Sequence, residues 1–268
     1  MASQALEGRL REVPFRGGGF VLVRRRGAAV IFFAGLIAVW ELAVRSGSVS
    51  PLFLPAPTSV VHALYDLAVS GALWRHISDS LFRLVFGWTL GTAAGLVAGF
   101  AMGIWSIPRA IGVPFVSALF PIPKIALLPL LILWFGIGEA SKVATIALGV
   151  FFPTTIATYS GIDGVPRNLI RMGQSFDLPW HVILKNIVLP GAMPGILAGF
   201  RITASIALIL LVAAEMIGAQ YGIGAFILSA GNLMQTDQLL AGVVLLSVLG
   251  LVIGAGLSRL ERWLLRWR

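Results

Sequence analysis

Long apolar runs separated by short polar links dominate the chain: Ala28–Val44, Leu81–Trp105, Val113–Phe135, Val143–Tyr159, Gly191–Ile217 and Leu239–Leu257. Runs near or beyond about 18 apolar residues mark membrane-spanning helices. In lipid every backbone group needs an internal partner, so such runs are helices or a closed barrel, and unbroken apolarity without strict alternation excludes the barrel. The pattern predicts an all-α polytopic membrane protein with six transmembrane helices. The third run holds Pro114, Pro121, Pro123 and Pro129 and is expected to be kinked or broken. Ahead of the second run, Thr58 caps a predicted short helix that presents Val61, Leu64 and Ala68 on one face. Tyr221–Asp237 is too polar to span, although Ile223–Ala230 is apolar enough to dip partly into the bilayer.

On a finer scale, Pro166–Pro190 lies between the fourth and fifth runs and is patterned differently. Leu169, Met172, Phe176, Trp180, Ile183 and Ile187 recur at steps of three and four, which assigns them to one helical face. Pro166 suits a helix start. Asp177 and Pro179 break the pattern, because proline disfavours helix in the preceding residue and Asp can accept from orphan N–H groups at a restart. Two short amphipathic helices joined by a bend are expected, held at the membrane surface, where they lie in the lipid interface or face a soluble partner.

Composition and charge sharpen this picture. Apolar residues make up 58% of the 268 and charged residues 12%, with no cysteine, so disulfides and thiolate chemistry are excluded. The net charge of +9 would suit nucleic acid in a soluble protein, but here the basic residues gather at chain ends and loops. With a cytoplasmic N-terminus, fourteen Lys and Arg fall on the inner side and three (Arg45, Arg75, Lys142) on the outer. Both termini and the Pro166–Pro190 stretch are therefore expected inside. The expected organisation is a basic cytoplasmic tail (1–27), a first span with an external loop (28–72), a transmembrane domain (73–258) with a coupling loop (160–190), and a second basic tail (259–268).

The patterned stretch resembles the cytoplasmic coupling loop of permease subunits in bacterial ATP-binding-cassette (ABC) importers. In those loops Glu-Ala-Ala precedes a Gly and then Ile-x-Leu-Pro. The tail matches as Ile187, Val188, Leu189 and Pro190, whereas Arg171, Met172 and Gly173 replace the triplet and Asp177 the Gly. Asp is among the few residues that tolerate the positive φ a Gly would allow there. Further strings are similar to the nitrate, taurine and aliphatic-sulfonate subfamily: His76-Ile77-x-x-Ser80-Leu81-x-Arg83, Pro121-x-Pro123 through Trp134-Phe135-Gly136-Ile137-Gly138-Glu139, and Ala214-Glu215-Met216 followed by Gly222-Ile223-Gly224. Together they cover roughly residues 50–265. The resemblance implies the type I importer permease fold in a bacterial inner membrane, acting as a homodimer with two ATPase subunits and an extracytoplasmic solute-binding protein. It implies that the ATPase docks on Arg171, Met172, Gly173, Phe176, Asp177, Trp180, Ile183, Ile187, Leu189 and Pro190.

The chemistry in the chain is sparse. No Gly-Lys-Ser/Thr phosphate loop is present, so ATP and its Mg²⁺ are assigned to the partner subunit and no cofactor to this chain. His62, His76 and His181 are scattered, and no catalytic constellation appears. A self-sufficient secondary transporter and a membrane-embedded enzyme remain the alternatives. A charge at mid-bilayer costs about 2.5–3.5 kcal/mol and normally faces a bundle interior or water. Lys124, Arg201 and Glu215 are accordingly candidates for a translocation path for a small anion, with inter-helix salt links as the other reading. Arg201 and Glu215 are some 21 Å apart along one helix and cannot pair with each other. Glu41 and Arg83 are expected to pack and snorkel. Gly87, Gly91, Gly95 and Gly99 form a small-residue ridge that seats either another helix of the same subunit or a second subunit.

Overall fold

The computed structural model describes residues 27–267, so most of the expected N-terminal tail lies outside the described residues. The described residues divide into two compact units, 27–49 and 50–267. In the first, α1 (Ala28–Arg45) is an 18-residue helix in which Glu41 pairs with Arg45 four residues on.

The second unit is built of helices joined by short turns, with no strand among its described residues. Its order is α2 (Pro57–Val69), α3 (Ala72–Ile104), α4 (Ser106–Leu119), a 3₁₀ turn (Lys124–Leu127), α5 (Leu128–Phe135), α6 (Glu139–Asp163), α7 (Arg167–Ser175), α8 (Trp180–Ile183), a π-turn (Leu184–Val188), α9 (Leu189–Gly218), α10 (Ile223–Asn232) and α11 (Thr236–Leu264). Among the described residues, four helices are long and apolar enough to cross a membrane: α3, α6, Trp180–Gly218 and α11. The count is five if α4 and the segment Lys124–Phe135, bent by 87°, make one broken span. The bend falls at the Pro121-x-Pro123 step, where proline removes donors and restricts the preceding residue. Several spans are longer than hydrophobicity alone marked. Polar residues continue α3 nine residues before Leu81, and α11 runs on through Arg259 and Arg262.

Helices α3 and α6 lie against each other along most of their length, and the glycine ridge is the reason. A Cβ on Gly91 would lie 2.3 Å from the Ala147 carbonyl oxygen, and one on Gly95 2.7 Å from that of Phe151. Gly87 faces Ile146, Gly99 faces Thr158 and Gly103 faces Ile162 in the same way. The ridge therefore seats a helix of the same subunit. Without a hydrophobic drive between helices in lipid, such close backbone approach supplies the packing energy.

Helix α9 closes two cores against α3 and α6. Leu84, Ile146, Val150, Ala207, Leu210 and Leu211 form one at the middle of the bundle. Ile162, Val165, Ile183, Val188, Ala192 and Ile196 form the other, beneath the α7–α8 bend. Val60 and Ala63 of α2 pack on Ala241 of α11.

Gly91→Ala is expected to destabilise the protein by about 1–3 kcal/mol, as overpacking does. Gly254→Ala, with nothing within 4 Å of its added carbon, is the control and should be neutral or slightly stabilising. Thermal unfolding of both variants in detergent measures the difference; equal midpoints would refute the packing role of the ridge.

Candidate functional site

The residues expected to couple to an ATPase form a bent helical cap at one end of the bundle. Helix α7 ends in a Schellman turn, with Asp177 N–H donating to Gln174 C=O (3.0 Å) and Leu178 N–H to Gly173 C=O (3.2 Å). Asp177 holds the left-handed position of that turn at φ 52°, where glycine is usual. Pro179, in extended conformation, then starts α8.

The bend divides what periodicity had joined into one face. Ile183 is buried, and Gly173 sits so close to Ile183 and Ile187 that a Cβ there would be 3.1 Å from Ile187. Phe176 and Trp180 point outward, 72% and 68% exposed, with Leu169, Met172 and Leu178 also exposed. The 3.6-residue period holds only within one helix, and the turn at Asp177–Pro179 resets the axis. The inner set anchors the cap to the core, while the outer set is an open apolar patch.

Helix α8 is not free-standing. It runs through the π-turn into α9, so Trp180–Gly218 is one 39-residue helix and the expected fifth span begins at the cap itself. Within the π-turn Leu189 N–H donates to Leu184 C=O, and Pro190 next in line has no N–H to return to Asn186. Ile187, Leu189 and Pro190 thus mark a deformation in a continuous rod.

Beside the cap, a cavity of about 460 Å³ opens between the ends of α3 and α6, the start of α4, α7 and α8. Arg109, Asp163, Arg167, Arg171 and Trp180 line it. Arg109 donates to Asp163 and to the Tyr159 hydroxyl, both at 2.7 Å.

The three candidate path residues stand apart from one another. Lys124 Nζ donates to the carbonyls of Leu119 (2.7 Å), Ile122 (2.7 Å) and Phe120 (3.1 Å) and lies 4.6 Å over the Phe152 ring. It satisfies carbonyls freed at the end of α4, where a cation is favourable. Arg201 pairs with Glu261 and joins α9 to α11. Glu215 is fully buried, and both its oxygens are engaged, so it braces the fold rather than facing a path.

What Glu215 braces is a network that sequence reasoning left in pieces. Arg83, expected to snorkel, is instead 2% exposed. Its Nη1 donates to Glu215 Oε1 and to the Tyr221 carbonyl, both at 2.7 Å, while Nε and Nη2 fork onto Glu139 at 2.5 and 2.8 Å. Ser80 donates to Glu215 (2.7 Å) and accepts from Ile223 N–H (2.8 Å). Gly224 N–H donates to the second Glu215 oxygen (2.8 Å), and His76 Nδ1 meets the Gly222 backbone. Gly222 stands at φ 137°, and a Cβ there would fall 2.5 Å from the Glu215 carboxyl. Lys142, expected on an outer link, is buried against Glu139 and the Gly138 carbonyl. The signal was present, since His76, Ser80, Arg83, Glu139, Glu215, Gly222 and Gly224 all lie in the short strings quoted above. No single string reveals its partner.

Over residues 91–267 the chain matches the family described as binding-protein-dependent transport system inner membrane component. The chain belongs to this family. Among its relatives, the putative aliphatic sulfonates transport permease protein SsuC of Bacillus subtilis (strain 168) is 37% identical over 88% of this chain and 85% of its own. The taurine transport system permease protein TauC of Escherichia coli (strain K12) is 36% identical over 87% of each chain. Among solved structures, inward-facing conformations of the MetNI methionine ABC transporter superpose with a TM-score of 0.61 at 21% identity, covering 72% of this chain and 96% of that one, which shows the fold. A family member of this kind is an inner-membrane transport subunit, and ATP hydrolysis is done by separate ATPase subunits.

Truncating one side of a buried ion pair strands the other charge. Arg83→Gln is expected to cost about 3–5 kcal/mol, whereas Arg83→Met combined with Glu215→Met should cost less than the sum of the two single changes. Thermal melts of the single and double variants measure the coupling; strict additivity would show that the pair is not an energetic unit.

Proposed function

We propose that this chain is the permease of an ABC importer for small anions of the sulfonate and taurine kind, with nitrate-like anions in the same class. The observation that carries the reading is the 36–37% identity to sulfonate and taurine permeases across most of the chain. Two copies line the path, two ATPase subunits supply ATP and Mg²⁺ binding, and an extracytoplasmic binding protein delivers the solute. Helix α1, apolar apart from the Glu41–Arg45 pair near its end, completes a set of six spans with both termini on the ATPase side.

The ATPase docks on the α7–α8 cap. Support comes from the outward patch of Phe176, Trp180 and Met172 on a helix pair whose inner face is already packed. Solute passes the α4–α5 break, where Lys124 is the nearest cation. Orientation rests on the fourteen-to-three charge bias.

Uptake of taurine and of short alkanesulfonates by cells carrying the complete transporter tests the solute class; uptake of neither would refute it. In the same assay Trp180→Asp should reach the membrane at normal yield yet lose both the co-purifying ATPase and uptake, because it places a carboxylate in a desolvated contact. Lys124→Gln should lower uptake with ATPase association intact, and undiminished uptake removes Lys124 from the path.

For orientation, cysteine at Ser70 should react with an impermeant thiol reagent in intact cells and cysteine at Asn168 should not. Labelling at 168 would invert the topology.

A further inference from the structure

The cavity beside the cap has a charge pattern that the apolar patch does not explain. Three guanidinium groups, Arg109, Arg167 and Arg171, share it with a single carboxylate, Asp163. Arg109 takes that carboxylate at 2.7 Å. Arg167 only approaches it, at 3.9 Å, and is largely exposed. Arg171 makes no ion pair or side-chain hydrogen bond among the described residues. Three cations therefore share one carboxylate in a concave, partly apolar recess, with Arg171 unpaired and Arg167 only loosely paired, flanked by Ile170, Leu184 and the exposed ring of Trp180.

A flat partner surface seated on Trp180 and Phe176 would cover this recess and dehydrate both guanidinium groups. Covering a charge without a counter-ion is unfavourable, so a partner that seals this cap tightly has to bring anions to it. We infer that the recess is a receptor for carboxylate side chains projecting from the docked ATPase subunit, with Arg167 and Arg171 as the recognising groups and Trp180 as the apolar wall. The inference rests on the docking reading above and adds the chemistry of the partner. The ATPase of this transporter presents Asp or Glu at the rim of its docking cleft, where a basic partner surface would be repelled. Arginine suits the role because its planar fork meets a carboxylate through two parallel bonds.

The experiment measures binding of the purified ATPase subunit to the full-length permease in nanodiscs of phosphatidylcholine alone and of phosphatidylcholine with phosphatidylglycerol, across a salt series. The double variant Arg167→Gln/Arg171→Gln should raise the Kd about tenfold or more at low salt and flatten its salt dependence in both lipids. Charge reversal at Arg171→Glu should weaken binding further. Both positions are exposed, so folding is not at stake, and Trp180→Asp runs in parallel as the docking control. If Trp180→Asp abolishes binding and the double variant leaves the Kd and its salt slope unchanged, docking stands and the carboxylate receptor is overturned. If neither variant alters binding, both readings fall. If the double variant alters binding only in discs with phosphatidylglycerol, the recess serves an anionic lipid headgroup and the inference is likewise overturned.

Discussion

A guanidinium buried in an apolar bundle is tolerable only if almost every one of its donors is met, and Arg83 sets that condition for one end of this protein. Four of its hydrogen bonds converge from three separate segments: Glu139 at the start of α6, Glu215 in the last turn of α9 and the carbonyl of Tyr221. Two cations, Arg83 and Lys142, meet the carboxylates of Glu139 and Glu215, and Asp79 stands a further 4.0 Å from Arg83. The cluster's cost of desolvation is offset by geometry rather than by charge alone. The geometry in turn fixes the loop after α9, because Gly222 and Gly224 must bring their backbone onto the carboxylate with no side chain in between. Helix α10 starts from that anchored loop.

The opposite end is secured by shape. There α6 reaches the α7–α8 cap through Ile162 and Val165, and the same core takes Ile183 and Val188 from the start of the long helix. Between the two ends the glycine ridge holds α3 against α6 at backbone distance. Helices α3, α6 and α9 are thus tied by charge at one end, by carbonyl contact in the middle and by branched aliphatic side chains at the other. By contrast, α4 and α5 meet at an 87° corner capped by one lysine.

Much of this was legible in the chain. Apolar run length located four of the expected spans, the proline cluster located the broken one, and Asp177 in place of a glycine foretold a left-handed turn, because each of these is a local property. The pairing of Arg83 with Glu215 was not legible. The two are 132 positions apart, and nothing in either helix's own pattern states which face meets which. For Arg201 the inter-helix salt link was one of two readings, but its partner Glu261 lies beyond the reach of any periodicity. The Leu169–Ile187 face was legible only up to the bend, where a change of axis divided it into anchored and exposed sets.

The unbroken helix from Trp180 to Gly218 spans some 58 Å at about 1.5 Å per residue. Its first turn bears an exposed ring, and its last holds the carboxylate that grips Arg83. A stiff shaft of this kind cannot absorb a displacement at one end without handing it to the other, except where its own hydrogen bonding is loosened. The π-turn at Leu184–Val188, one turn above the ring, is such a place, and Pro194, with no N–H to return to Pro190, is another. The shaft is thus softest near the cap, and the stretch Leu184–Pro194 stands between the exposed ring and the buried carboxylate.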